Sequence, residues 1–260
     1  TFQIGANEGE SVTVSIEGAT VDQLGSALGD GITSDSDNNP MSAGDLVING
    51  IAVGASSGTD DAFSSANQDA SGISKAAAIN DVSDRTGVKA VVNETSLVGS
   101  SYTSSTVNSN ITINGILINV STSANIEDIA NLQSVSNSIN LSSGQTGVKA
   151  IFDGNPTTGI QLVAEDGRNI ILEDSGTNPT EDVGLAVDGV YSGTFTLISS
   201  DGSPIELDTT TGDISNTGLA VGKFSGSNSG AVGAAVGANA FATGDIVLNG
   251  VPVGPSQGSF

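Results

Sequence analysis

Three stretches of this chain place short apolar, β-branched runs on either side of an Asn-Gly pair. They are "LVINGIAVG" around Asn49-Gly50, "ITINGILINV" around Asn114-Gly115 and "IVLNGVPVG" around Asn249-Gly250. Alternation with a period of two predicts half-buried strands. Asn-Gly between such strands predicts a hairpin, because a type I′ turn needs positive φ at both central residues. An earlier alternation, with Val12, Val14 and Ile16 on one face, predicts another strand, and residues 25–42 carry the Gly, Asp, Ser, Asn and Pro of a loop.

After the first two hairpins the period changes. In the second copy Asn125 is placed to cap a helix and Glu127 and Asp128 occupy a first turn. Ile129, Leu132, Val135 and Ile139 form the apolar stripe. In the first copy the stripe is Ile73, Ala76 and Ile79. Each helix closes on an Ile-Asn pair, Ile79-Asn80 or Ile139-Asn140, followed by the phrase TGVKA at Thr86-Gly87 or Thr146-Gly147. The Gly is where a helix must stop, and VKAVV or VKAIF is the returning strand. A five-residue match with equally spaced partners is an internal repeat. Asn80 and Asn140, beside the stripe near the helix end, are expected to satisfy free carbonyls or the backbone of the returning strand.

Asp166-Gly167 and Asp201-Gly202 predict two further hairpins, and residues 230–240 are a Gly/Ala-rich connector. The fold class expected is α+β and β-rich, built from small hairpin–helix–strand modules. Along the chain it divides into 1–43, an entering strand and loop; 44–105, a first module; and 106–190, a second module with a following hairpin. Residues 191–243 form a hairpin and connector, and 244–260 begin a third module that is cut short.

Composition narrows the chemistry. With 29 acidic and 6 basic residues the net charge is -23, which argues against nucleic acid and against an anionic membrane surface. Aromatics are 3 %, so the core rests on Val, Ile, Leu and Ala. No apolar run approaches the roughly 18 residues of a membrane helix, and no signal peptide opens the chain. The start at Thr1 leads us to expect a piece of something longer. Without His or Cys there is no Ser-His-Asp triad, Cys-His dyad, disulfide or His-based zinc site. Acidic pairs such as Asp60-Asp61, Glu165-Asp166 and Glu181-Asp182 read as loop and strand-end charges, since neighbours on a strand face opposite ways. The loop "SDSDNN" at 34–39 has oxygen ligands of the kind calcium takes, without the EF-hand spacing. The Gly-rich stretch lacks the Lys of a phosphate loop, and four Asn-x-Ser/Thr sequons match what an Asn-, Ser- and Thr-rich chain contains by chance. No catalytic, cofactor-binding or metal-ligating residue is assigned, and no cofactor is expected.

The pattern "LVINGIAVG…AAAIN…TGVKA" and "ITINGILIN…NSIN…TGVKA" resembles the IN motif of bacterial flagellins and flagellar hook-associated proteins, and the opening "FQIGANEGESVTVSI" resembles the segment by which flagellins leave their N-terminal helices. The likeness covers much of 44–152, the opening and 244–260. It departs at Ser136, where the first copy has Ala76. The resemblance implies the exposed outer region of an extracellular flagellar filament subunit, non-enzymatic and serving motility. Its implied partners are neighbouring flagellin subunits, met mostly through regions outside this chain, with O-glycans, a sheath or other surfaces as further contacts. The competing expectations are a flagellar hook-associated protein, an adhesin-like polysaccharide-binding module, for which an exposed groove at Tyr102 or Tyr191 would speak, and a glycosidase with two facing carboxylates.

Overall fold

A computed structural model describes residues 2–3, 11–12, 31–174, 179–224, 247–248 and 251–252. The chain forms two compact units, Thr1–Asn228 and Ser229–Phe260. In the smaller unit Val247–Leu248 pairs antiparallel with Val251–Pro252; the turn pair Asn249-Gly250 lies outside the described residues, as do Val14, Ile16 and the 230–240 connector.

The larger unit is α+β and strand-rich, with all strand pairs antiparallel. It opens with β1 (Phe2–Gln3) paired to β2 (Ser11–Val12). Then come β3 (Ile32–Thr33), in the stretch expected to be loop, and the hairpin β4 (Val47–Ile48) and β5 (Ile51–Ala52). Helices α1 (Gly72–Asn80) and α2 (Ser83–Thr86) lead to β6 (Val88–Val92). The order then repeats: β7 (Thr95–Leu97), hairpin β8 (Val107–Ile113) and β9 (Ile116–Thr122), helices α3 (Asp128–Leu141) and α4 (Ser143–Thr146), and β10 (Lys149–Phe152). Next are β11 (Ile160–Ala164), β12 (Ile170–Asp174), the single turn α5 (Pro179–Asp182) and β13 (Gly189–Tyr191). The last three strands are β14 (Phe195–Ser199), β15 (Ile205–Asp208) and β16 (Gly222–Phe224).

Strand pairing assigns those last three to the first copy. The sheets run β3-β14-β6 and β16-β15-β4-β5, against β7-β11-β10 and β13-β12-β8-β9 in the second copy, the same two orders. Module one is therefore discontinuous, residues 31–94 and 194–224, and module two, 95–193, is inserted between β6 and β14. Module two turns from β10 to β11 through residues 153–159, where module one contains the whole of module two. The linear division into 44–105, 106–190 and 191–243 differs here. Phe195–Ser199 pairs with Val88–Val92, a contact a hundred residues distant in sequence, and periodicity carries no information about such pairings.

The nesting exposes a longer likeness in sequence. "IQLVAEDGRNIIL" from 160 aligns without a gap on "FTLISSDGSPIEL" from 195, and "GLAV" recurs at 184–187 and 218–221. Each module has its own core. Ile48, Ile79, Val88, Phe195, Leu197, Ile205 and Leu207 close one. Their counterparts Ile113, Ile139, Val148, Ile160, Leu162, Ile170 and Leu172 close the other, at essentially zero exposure. Burying an aliphatic side chain of this size contributes about 1.5–3 kcal/mol.

Candidate functional site: two asparagine joints and a seam

The repeated residues converge on one arrangement, found twice. Asn49 and Gly50 stand at φ 49° and 79°, Asn114 and Gly115 at 50° and 81°, the pair of positive angles a type I′ turn requires. The asparagine does more than turn the chain. In module one its N–H donates to the Glu206 carbonyl at 2.9 Å and its Oδ1 accepts from the Glu206 N–H at 2.9 Å. Its Nδ2 donates to the Thr86 carbonyl at 2.8 Å. In module two Asn114 makes the same three bonds, to the Ile171 carbonyl at 2.9 Å, from the Ile171 N–H at 2.8 Å and to the Thr146 carbonyl at 2.9 Å. One side chain thus ties a hairpin turn, a third strand and a helix end.

The second asparagine works in the last turn of the longer helix, α1 or α3. Asn80 Oδ1 accepts from the Ala90 N–H and its Nδ2 donates to the Ala90 carbonyl, both at 2.9 Å. Asn140 repeats this on Ala150 at 2.8 Å for both bonds. Because β6 and β10 are edge strands of their sheets, the backbone of Ala90 and Ala150 would otherwise end the ladder unpaired beside the core. A carboxamide sets an N–H donor beside a carbonyl acceptor as a peptide group does, so it substitutes for a neighbouring strand. Ser136 adds a bond to the Ala150 carbonyl at 3.1 Å in module two, at the position held by Ala76 in module one.

Ile79 and Ile139 are fully buried beside these asparagines. Thr86 and Thr146 accept the Val88 and Val148 N–H on their hydroxyls at 3.2 and 3.1 Å. Gly87 and Gly147 take φ 70° and 72° in the left-handed region, each sending its N–H back to Ser83 or Ser143 at 2.8 Å. This is the helix-ending geometry a side chain resists. Ile129 and Asn125 do not serve as expected. The helix begins at Asp128 without a side-chain cap, Ile129 points outward and is 55 % exposed, and Asn131 is buried instead. Asn131 accepts from Ser123 N–H and donates to the carbonyls of Ser123 and Ile126, tying the segment before the helix to it from inside.

A seam joins the modules. Asn169, wholly buried, donates its N–H to Ser64 Oγ at 2.9 Å and its Nδ2 to the carbonyls of Ala66 and Asn67, and accepts from the Gly193 N–H. Arg168 lies 5.6 Å above the Phe63 ring and pairs with Asp166 at 2.6 Å. Burial pushes the Asp166 carboxyl up, but hydrogen bonds from Arg168 outweigh it and hold the group below its usual range. Asp61 is buried nearby; burial raises its pKa, and hydrogen bonds from the Ser64 and Phe63 N–H groups to its Oδ1 help bring it below the ordinary value. On the far side Asn38 donates to the Val190 carbonyl and accepts from Ser192 Oγ.

The loop at 34–39 turns inward. The Asp37 carbonyl accepts from Lys75 Nζ at 2.9 Å, and its carboxylate lies 3.9 Å from the same nitrogen. Lys75 is buried on α1; burial brings its pKa down to about 8 against the opposing pull of Asp37. Tyr102 is buried in the core of module two with its hydroxyl on Ser105 and Asn131, so it lines no exposed groove. Sequence reasoning found the motif residues and missed Asn131, Asn169 and Lys75. The one available signal was a polar residue standing within or beside an apolar stripe. No protein-family model and no curated protein matches the chain.

Proposed function

We propose that this chain is the outer, surface-exposed part of a bacterial flagellin-type filament subunit, a structural piece that supports motility from outside the cell. The observation that carries the reading is that the motif residues which resemble the flagellin IN motif build the same two asparagine joints in each module, from matching atoms. Their repetition has a structural cause: each copy closes the open edge of a sheet, and no step of chemistry is needed to explain why Asn80 and Asn140 recur. The acidic surface suits an exposed, hydrated position. Neighbouring subunits of the filament are the partners, engaged mainly by segments outside these residues.

The chain has no cysteine, so Gln145→Cys, at an exposed position, gives it a single thiol, and labelling of the substituted parent protein is read against the unsubstituted parent. Maleimide dye added to intact cells is expected to decorate filaments along their length. Dye that reaches the thiol only after lysis, or filaments that stay dark, would overturn the reading.

A further inference from the structure

The Asn-Gly pairs that turn the two hairpins are also chemically fragile, because glycine has no side chain to shield its nitrogen. That nitrogen gives its proton to water and bonds to the Asn Cγ, the Cγ–Nδ2 bond breaks, and Nδ2 departs as ammonia. Water then opens the cyclic imide at either carbonyl. The product is aspartate, or isoaspartate with the main chain rerouted through the side chain. The sum is amide plus water to acid plus ammonia, and it needs no enzyme, oxidant or metal. The flanks are identical, Ile48-Asn49-Gly50-Ile51 and Ile113-Asn114-Gly115-Ile116, so the local sequence gives both pairs one intrinsic rate. Gly50 and Gly115 are both exposed, and a Cβ on either would meet nothing within 4 Å.

The asparagines differ. A joint engages both Oδ1 and Nδ2, so the reaction runs through the opened joint and its rate follows how often that joint opens. Asn49 is exposed, and the bond its Oδ1 accepts from the Glu206 N–H lies at the surface. Asn114 is buried, as are its bonds with the Ile171 N–H and the Thr146 carbonyl. Opening the first joint hands the Glu206 N–H to water, whereas opening the second strands the Ile171 N–H. Arg168 adds a roof to the second: it donates to the Thr146 carbonyl at 3.3 Å, and a Cβ on Gly147 would run into its guanidinium. Module one has Ser203 at the matching position, and a Cβ on Gly87 would meet nothing within 4 Å.

We infer that Asn49 is a site of spontaneous deamidation and that the fold keeps Asn114 from the same reaction, so that of these two joints only that of module one ages. Either product undoes the joint. An aspartate has no donor for the Thr86 carbonyl that Asn49 Nδ2 now meets. Isoaspartate lengthens the turn by one main-chain carbon, which the pairing of Val47–Ile48 with Ile51–Ala52 through a two-residue turn does not accommodate. The inference does not depend on the filament reading and is tested in solution.

The 260-residue chain is incubated in mildly alkaline buffer, folded and in concentrated urea, and peptide mass mapping follows the amide-to-acid mass gain at each pair. Each folded rate is divided by the rate of the same pair in urea, where neither joint exists. Asn114 is expected to lag Asn49 by at least about tenfold. A smaller lag, an Asn49 as protected as Asn114, or a faster Asn114 overturns the inference. Deamidated chain carries one more negative charge and separates from fresh chain by anion exchange. Its urea midpoint is expected to fall below that of the fresh chain; an unchanged midpoint shows that the joint survives and overturns the inference as well.

Discussion

At one position of the helix the two modules part company: module two buries Val135, and module one buries Lys75. Both sit four residues before the Ile of the Ile-Asn pair. Val135 joins the aliphatic core of its module, whereas Lys75 needs the Asp37 carbonyl and carboxylate brought to it by the 34–39 loop. The same loop holds Val190 and Ser192 of the inserted module through Asn38 and Ser36. Module two is continuous and closed on itself. Module one has been opened to receive it, and its polar interior residues serve the seam. The shared asparagine joints define the module; the unshared residues record where each one sits.

The largest difference expected between the modules comes from the turn asparagines. Asn114 is buried, at 9 % exposure, and Asn49 is exposed. Asn114→Ala leaves the Ile171 N–H without a partner away from water, leaves the Thr146 carbonyl only the longer bond from Arg168, and forces Ala to positive φ, a loss of about 3 kcal/mol. Asn49→Ala, whose partners regain water, costs about 1–2 kcal/mol. Urea midpoints at constant m-value measure both, and equal losses would break the comparison.

Next is the buried lysine. The folded chain releases the Lys75 proton near pH 8, while the unfolded chain holds it to about its ordinary 10.5. Between those values the unfolded state binds more protons, so stability rises with pH. The gain between pH 7 and 10 is about 2 kcal/mol, and Lys75→Met removes the slope. Burial raises the Tyr191 pKa above 10.0, which acts in the opposite direction only at higher pH. A flat profile in the wild-type chain would show that the ammonium reaches water.

Smaller, and the same in both modules, is the effect of Asn80→Asp and Asn140→Asp. A carboxylate still accepts the Ala90 or Ala150 N–H but faces the carbonyl it should donate to, costing about 1.5 kcal/mol each. A marked asymmetry would mean that Ser136 carries the second joint. The smallest effect is at the seam. Arg168→Ala removes the contact with Phe63 and an ion pair that is partly exposed, worth about 0.5–1 kcal/mol, read as a loss of coupling between the two modules' unfolding transitions.

What could be read from the sequence was local. Asn-Gly turns, the helix stripe at Leu132, Val135 and Ile139, and the glycine stop before VKA are each set by neighbours within a few residues. The α+β class followed from them. The hydrogen bonds of Asn49 to Glu206 and of Asn169 to Ser64 each join residues more than 100 positions apart, and no local pattern encodes them. The nesting was hidden for the same reason: the second half of module one follows module two, so its hairpin at Asp201-Gly202 read as a separate piece. Lys75 and Asn131 were missed because periodicity counts apolar residues, and these are polar residues buried by partners that only the fold brings near.

The account rests on module two being a complete copy, with its own core and both joints inside residues 95–193. Expressing residues 94–194 alone and following thermal unfolding by circular dichroism tests this most directly. A cooperative transition, lost on Asn114→Ala, is the predicted result. A chain without fixed structure, recovered only when residues 31–94 and 194–224 are supplied, would contradict it.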